Sequence, residues 1–320
     1  MSPSTFVVQS RPLHIQHPSI QTRVVRDSGN ALSGDFVTTP PSIVHVPFHL
    51  VDGLIVIDGV VNGQTGFWVL TTGGPILALN AKRVTLPAEN VATANLGNVQ
   101  QLQWGPIAMR DVPATSIDFH VTEEHVRTSS PALRASPMLG FLGVPQLEPF
   151  TTIIDYDNEE LTLVLLDRAG NPLAPLPGSR PIAQLPLVMS NGTPFVRAIV
   201  ADTIRGLFQL NTGNNGKVML EESFAKRVKQ SIQRATHHAP DGDTTTVGDE
   251  LCGFVWGPIS IGRMPVTVTT LRLEMHEGKL GFGFMRAFRI GLNFRNPGAT
   301  VWARTGSALI EGERVLRPTP

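Results

Sequence analysis

The chain has 320 residues, and its 26 Lys and Arg are balanced by 26 Asp and Glu, so the formal net charge is zero. That balance argues against broad electrostatic attraction to nucleic acid or to an anionic membrane. The single cysteine, Cys252, rules out an intrachain disulfide and reads as a small buried hydrophobe. Apolar residues at 41% in a chain of this length supply a sizeable core, in one large domain or two lobes. Gly and Pro are plentiful and β-branched residues recur in short runs, the texture of a turn-rich, mainly β protein.

Residues 1 to about 40 are polar, with scattered Pro, Ser and Gln, and read as an extended arm or a disordered leader. Met1 to Gly34 has no apolar segment of signal-peptide type, and no stretch of the chain is long enough to span a bilayer; the compartment is left open. From Ile43 apolar and polar residues alternate through Val44-His45-Val46-Pro47-Phe48-His49-Leu50, with Pro47 an obstacle to a central strand. Leu54 to Val61 predicts a buried strand, Asn62-Gly63 a tight hairpin turn, and Gly66 to Leu70 the returning strand. Asn80 to Arg83 predicts the start of a short helix with Asn80 as its cap. Asp167 to Gln184, rich in Pro and Gly, reads as a linker. Phe224, Val228 and Ile232 at four-residue spacing predict a helix between Leu220 and Ala235, and His237 to Asp249 reads as a polar loop.

Three segments occur twice. Val69-Leu70-Thr71-Thr72-Gly73-Gly74 matches Gln209-Leu210-Asn211-Thr212-Gly213-Asn214, with Thr71 and Asn211 140 residues apart. Trp104-Gly105-Pro106-Ile107 matches Trp256-Gly257-Pro258-Ile259 at a spacing of 152. Leu142-Gly143 through Tyr156 matches Leu280-Gly281 through Phe294 at a spacing of 138. The same order at similar offsets indicates a duplicated unit of roughly 140 residues, a period too long for a solenoid. An insertion around Val121 to Arg134 in the first copy balances the longer 237–249 region of the second. The chain therefore divides into an N-terminal arm over 1–42, a first lobe over 43–167, a linker over 168–184, a second lobe over 185–303 and a tail over 304–320.

These residues resemble the aspartic peptidases, of both the two-lobed pepsin type and the bacterial retropepsin-like type. In that family each lobe carries an apolar-Asp-Thr-Gly turn, followed later by an apolar-apolar-Gly strand. Here the turns are Leu70 to Gly73 and Leu210 to Gly213, and the glycine strands are Phe141-Leu142-Gly143 and Lys279-Leu280-Gly281, where Lys279 departs from the apolar pattern. The resemblance covers roughly Val44 to Ala303. It implies an all-β, two-lobed acid-protease fold, with two pseudo-symmetric barrel-like lobes around a central cleft. It also implies that Thr72 and Thr212, with Gly73 and Gly213, hold the two turns together.

The family's two acids share a proton, and one of them activates the attacking water, an arrangement for which aspartic proteases are themselves the standard example. At the matching positions this chain has Thr71 and Asn211. A hydroxyl has no useful basicity here, and a carboxamide can hold a water but cannot take its proton. The resemblance thus leads to an inactive or impaired homologue whose cleft holds an extended peptide. The alternatives are an aspartic-type endopeptidase, or a disabled copy of one, and a structural protein with a closed cleft. No cofactor, metal, nucleic acid or membrane insertion is expected, and two lobes in one chain make a monomer the expected state.

Other residues carry weaker signals. Thr71 as a nucleophile would need an adjacent base, and none is visible. His237, His238, Asp241 and Asp243 lack a recognisable metal-ligand spacing. Asp155 is expected to be structural, Asp58 to serve the Asn62-Gly63 hairpin, and Trp104 and Trp256 to pack in the lobe cores. Asn191-Gly192-Thr193 has the form of a glycosylation acceptor, a triplet that arises often by chance. The region around Asn95-Leu96-Gly97-Asn98 is a candidate flap hairpin; the one tyrosine, Tyr156, lies elsewhere.

Overall fold

A computed structural model describes residues 32–86, 96–216, 218–238, 245–270, 273, 276–304 and 315–316. The fold is almost entirely β, in three sheets. A ten-stranded sheet is built from residues 35–142, a nine-stranded sheet from residues 188–280 together with Val315–Leu316, and a six-stranded sheet joins the two halves.

The first sheet grows from the hairpin Leu54–Val61 and Gln64–Leu70, whose two-residue turn places Asn62 at φ 46° and Gly63 at φ 82°. Positive φ at both positions matches the right-handed twist of the strands, which is why Asn-Gly suits this turn. Strand Met138–Leu142 lies parallel to Gln64–Leu70 on one side and antiparallel to Leu77–Asn80 on the other. The second lobe repeats the arrangement. Gly278–Leu280 lies parallel to Ile204–Leu210 and antiparallel to Val218–Glu221.

The duplication is written into the joining sheet. Phe150–Asp155 pairs antiparallel with Phe288–Asn293, and Ile153 faces Gly291, its own counterpart 138 residues along the chain. A residue that pairs with its duplicate lies on the two-fold axis relating the copies. The turns that follow these strands repeat too. Asp155 accepts the N–H groups of Asp157 and Asn158, and Asn293 accepts those of Arg295 and Asn296. Pro47 ends the pairing of Ile43–Pro47 in the joining sheet, and the chain crosses at Phe48 into the first lobe's sheet as His49–Val51.

Several expectations are corrected. Residues 81–83 form a single turn rather than a helix. Asn80 Oδ1 accepts the Lys82 N–H as a cap would, and the Asn80 carbonyl accepts those of Arg83 and Val84. Residues 84–86 leave the turn, and the Asn80 side chain also serves Glu123, the Met138 carbonyl and the Phe119 N–H. The helix expected over Leu220–Ala235 is reduced to the α-helix Glu222–Arg227 and a 3-10 turn, Lys229–Ser231. Leu220 is taken by parallel pairing with Val268, and Ile232 begins a strand that faces Leu251. Of the expected polar loop over 237–249, residues 237–238 and 245–249 are instead strand, in a long hairpin of Ile232–His238 against Thr245–Trp256, and 239–244 fall outside the described residues. Cys252 on that hairpin is half-buried rather than buried.

Asp35–Phe36, read as arm, is an edge strand whose Phe36 ring meets Phe150 edge-on at 5.7 Å. Val315–Leu316 in the tail pairs with Ser260 and Ile261. The insertion around Val121 to Arg134 is mainly the helix His120–Ser129. Leu96–Val99 of the candidate flap is a strand against Val112–Ile117, while 87–95 fall outside the described residues. Asp241, Asp243 and the leader over 1–31 also fall outside them. Among the described residues no helix is long and apolar enough to cross a membrane.

The core follows the duplicated aromatics. Trp104 packs edge-on against Phe150, and Trp256 packs tilted against Phe284; all four side chains are buried. Tyr156 is buried between Phe48 and Phe282, and burial raises its hydroxyl pKa well above the ordinary range.

Candidate functional site

Each parallel strand pair ends in a turn, and the two turns meet. Thr71 donates its N–H to the Leu142 carbonyl at 2.8 Å, and Asn211 donates its N–H to the Leu280 carbonyl at 2.9 Å. The glycine-ended strands thus fix the backbone of both turns from behind. At the front the turns are locked by four reciprocal bonds. The Thr72 N–H donates to Thr212 Oγ1 at 3.0 Å, and the Thr212 N–H to Thr72 Oγ1 at 3.1 Å. The Thr72 hydroxyl donates to the Leu210 carbonyl at 2.7 Å, and the Thr212 hydroxyl to the Leu70 carbonyl at 3.0 Å. Both threonines are completely buried, so the ring is cut off from competing water.

Glycine is required at the next position by close approach alone. A Cβ on Gly73 would run into the Asn211 carboxamide, and one on Gly213 would lie 2.7 Å from Thr71 Oγ1.

Between the turns, the Thr71 hydroxyl donates to Asn211 Oδ1 at 3.1 Å. The Gly73 N–H donates to Thr71 Oγ1 at 3.1 Å, and the Gly213 N–H to Asn211 Oδ1 at 2.9 Å. Asn211 Nδ2 points the other way, to Gln209 Oε1 at 3.4 Å, and Gln209 Nε2 reaches Thr193 Oγ1 at 3.3 Å. These contacts fix which end of the carboxamide is which. Thr71 and Asn211 are buried at 1% and 5% exposure, and none of their partners among the described residues is a carboxylate. The centre consists of a hydroxyl and an amide, neither of which gains or loses a proton in the ordinary pH range.

All six residues singled out from the turns, Thr71, Thr72, Gly73, Asn211, Thr212 and Gly213, lie within this one cluster. Asp155 and Asp58 do not. Asp155 caps a turn of the joining sheet, and Asp58 is an exposed strand residue 3.7 Å from His49 Nε2. His237 and His238 lie on the strand Ile232–His238. Asn191 is a turn residue at φ 47°, and Thr193 Oγ1 donates to the Ser190 carbonyl.

Sequence reasoning missed the polar residues beside Asn211. Gln209 stands opposite Lys279, and the His276 ring packs against Phe195 at 5.3 Å. Burial, and after it the Lys279 ammonium, pushes His276 down to about 4, and burial also lowers the Lys279 pKa. Their signal was present in the duplication, where Gln209 stands for Val69 and Lys279 for Phe141.

The three sheets, the two-fold axis and the paired turns define the fold of a two-lobed aspartic proteinase. No protein-family model and no curated relative matches the chain. Among solved structures, the chain is similar to the aspartic proteinase from Irpex lacteus, at 13% identity and a TM-score of 0.50, covering 83% of this chain and 99% of that one. Basic 7S globulin from soybean also matches, at 12% identity and a TM-score of 0.45, covering 82% and 95%. At 13% identity the likeness to the Irpex lacteus proteinase speaks for the fold alone.

Proposed function

We propose that the chain is a non-catalytic homologue of the aspartic peptidases that holds an extended peptide between its lobes. In this reading Thr71 and Asn211 stand where the family has its acid pair, and Thr72, Gly73, Thr212 and Gly213 support them. The observation that carries it is the direct 3.1 Å bond from the Thr71 hydroxyl to the Asn211 carboxamide, closed in by the two glycine N–H groups. Those N–H groups are aimed where they would stabilise carboxylate oxygens, yet they meet groups that cannot act as a general base. General acid–base assistance is worth about 10²–10⁴-fold, and no other side chain bonded to the pair takes over that role. Peptide binding needs none of this chemistry, since extended backbone pairs with strand edges and side chains fill flanking pockets. No cofactor is required, and the protein acts as a monomer.

The test is an acid-pH peptidase assay on a mixed peptide library, alongside calorimetric binding of the same peptides. Binding without turnover is expected. The double variant Thr71→Asp with Asn211→Asp is expected to gain cleavage, since the turns and their N–H donors are already in place. Sustained cleavage by the unaltered chain, abolished by Asn211→Ala, would overturn the reading.

A further inference from the structure

The two lobes present the same face of the same sheet very differently. In the first lobe, Val56, Val69, Phe141 and Ala78 form one row across four strands, set by their cross-strand registers. All four are buried under Phe119, Val126 and Leu133, carried by the segment that contains helix His120–Ser129. The register-matched row of the second lobe is Phe195, Gln209, Lys279 and Met219. There the link between the corresponding strands is eight residues, 270–277, in place of twenty, 118–137, and it carries no helix among its described residues. Lys279 and Met219 are left half-buried.

This row adjoins the paired turns. Gln209 lies two residues before Asn211 on the same strand and bonds to its carboxamide, and Lys279 sits opposite Gln209. Lys279 has no carboxylate partner among the described residues. The nearest in sequence, Glu277, is engaged elsewhere, with its Oε2 2.5 Å from the Leu207 N–H. His276 adds a buried Nε2 that has no hydrogen-bond partner. A half-buried ammonium with no counter-charge among the described residues, and a ring nitrogen unsatisfied among them, are both costly. A carboxylate supplies the opposite charge together with acceptor lone pairs, and Gln209, whose Oε1 faces Asn211 and whose Nε2 gives one hydrogen to Thr193 Oγ1, has the second Nε2 hydrogen to offer.

We infer that the face formed by Gln209, Lys279 and His276 beside the Thr71–Asn211 pair is a pocket for the carboxylate of an acidic side chain. It deepens the peptide-binding reading and rests on it for the ligand class: the peptide held is one with Asp or Glu placed next to the paired turns.

The chain has five lysines, so selective ¹³Cε labelling gives a spectrum in which Lys279 is assigned by the loss of one signal in Lys279→Met. N-acetyl-glutamate N-methylamide is titrated against its glutamine counterpart, and acidic extended peptides against their amide counterparts, all on the full chain. The Lys279 signal is expected to move with the glutamate probe and not with the glutamine one. Acidic peptides are expected to bind about tenfold or more tighter than their amides, with the difference lost in Lys279→Met and reversed in Lys279→Glu. An unmoved Lys279 signal, or an acidic preference that survives Lys279→Met, would overturn the pocket. Peptides that bind irrespective of charge leave the cleft standing and sink the pocket. A glutamate probe that titrates Lys279 while no peptide binds leaves the pocket standing and sinks the peptide reading.

Discussion

Replacing Thr72 with Val keeps the shape of the side chain and removes its hydroxyl. That single oxygen donates to the Leu210 carbonyl at 2.7 Å and accepts the Thr212 N–H at 3.1 Å. Thr212 is fully buried, so its N–H has no water to turn to. Two net hydrogen bonds of about 1 kcal/mol each, plus the penalty for an orphaned buried donor, give a cost of about 2–4 kcal/mol. That is a large share of the roughly 5–15 kcal/mol that holds a typical domain together. Thr212→Val should cost about the same, because the ring is symmetric. The two hydroxyls never touch, yet each holds the turn that aims the other. The double variant should therefore cost less than the sum of the singles by about 1 kcal/mol or more. Urea unfolding reads this out through tryptophan fluorescence, with Trp104 in one lobe and Trp256 in the other, and through circular dichroism; the two probes should coincide. Thr72→Ser retains the oxygen and should cost well under half as much as Thr72→Val. If serine costs as much as valine, or if the two valine changes simply add, the turns are not held by a single hydrogen-bonded ring.

Three further outcomes can be measured by the same unfolding assay. Gly73→Ala drives a methyl into the Asn211 carboxamide and should destabilise the fold by about 1–3 kcal/mol. Gly262→Ala, where a Cβ meets nothing and φ is not positive, should be neutral or slightly stabilising by the same urea assay. His276 sits at about 4 against an ordinary 6.5, chiefly through burial and then through Lys279. Between those two values the unfolded chain carries a proton that the folded one refuses, so stability rises with pH there, is complete above about 6.5, and is lost as pH falls toward 4. The contribution is at most on the order of 3 kcal/mol, and His276→Phe should flatten urea midpoints measured at pH 7, 5.5 and 4.

What the sequence carried best was the repetition. The offset of 140 between Thr71 and Asn211 marks a contact across the two-fold axis, and the offset of 138 between Ile153 and Gly291 marks a pair on that axis. Local patterns fared worse wherever a distant strand competed for the same residues. Leu220 and Ile232 have helical spacing, but parallel pairing with Val268 and antiparallel pairing with Leu251 claim them. Asn80 has the chemistry of a helix cap and its Oδ1 does accept the Lys82 N–H, but only one turn follows, and its Nδ2 is tied to Glu123 and Met138, distant in sequence. The polarity around His237 suggested a loop, whereas a long hairpin satisfies its backbone through cross-strand bonds that side-chain character does not report. Lys279 was visible as a break in an apolar motif. Its meaning needed the register that sets it against Gln209, because nothing local says which face of a strand is left uncovered.

The pairing of Ile153 with Gly291 also bears on how such a chain could come apart. Severed in the stretch between Leu165 and Ala183, each half would keep its own turn and glycine-ended strand but would lose the neighbour along Phe150–Asp155 or Phe288–Asn293. The bared edge is self-complementary, since the residue at its midpoint met its own duplicate. A liberated half would therefore tend to find a second copy of itself, giving a homodimer with the same axis that one polypeptide now encloses.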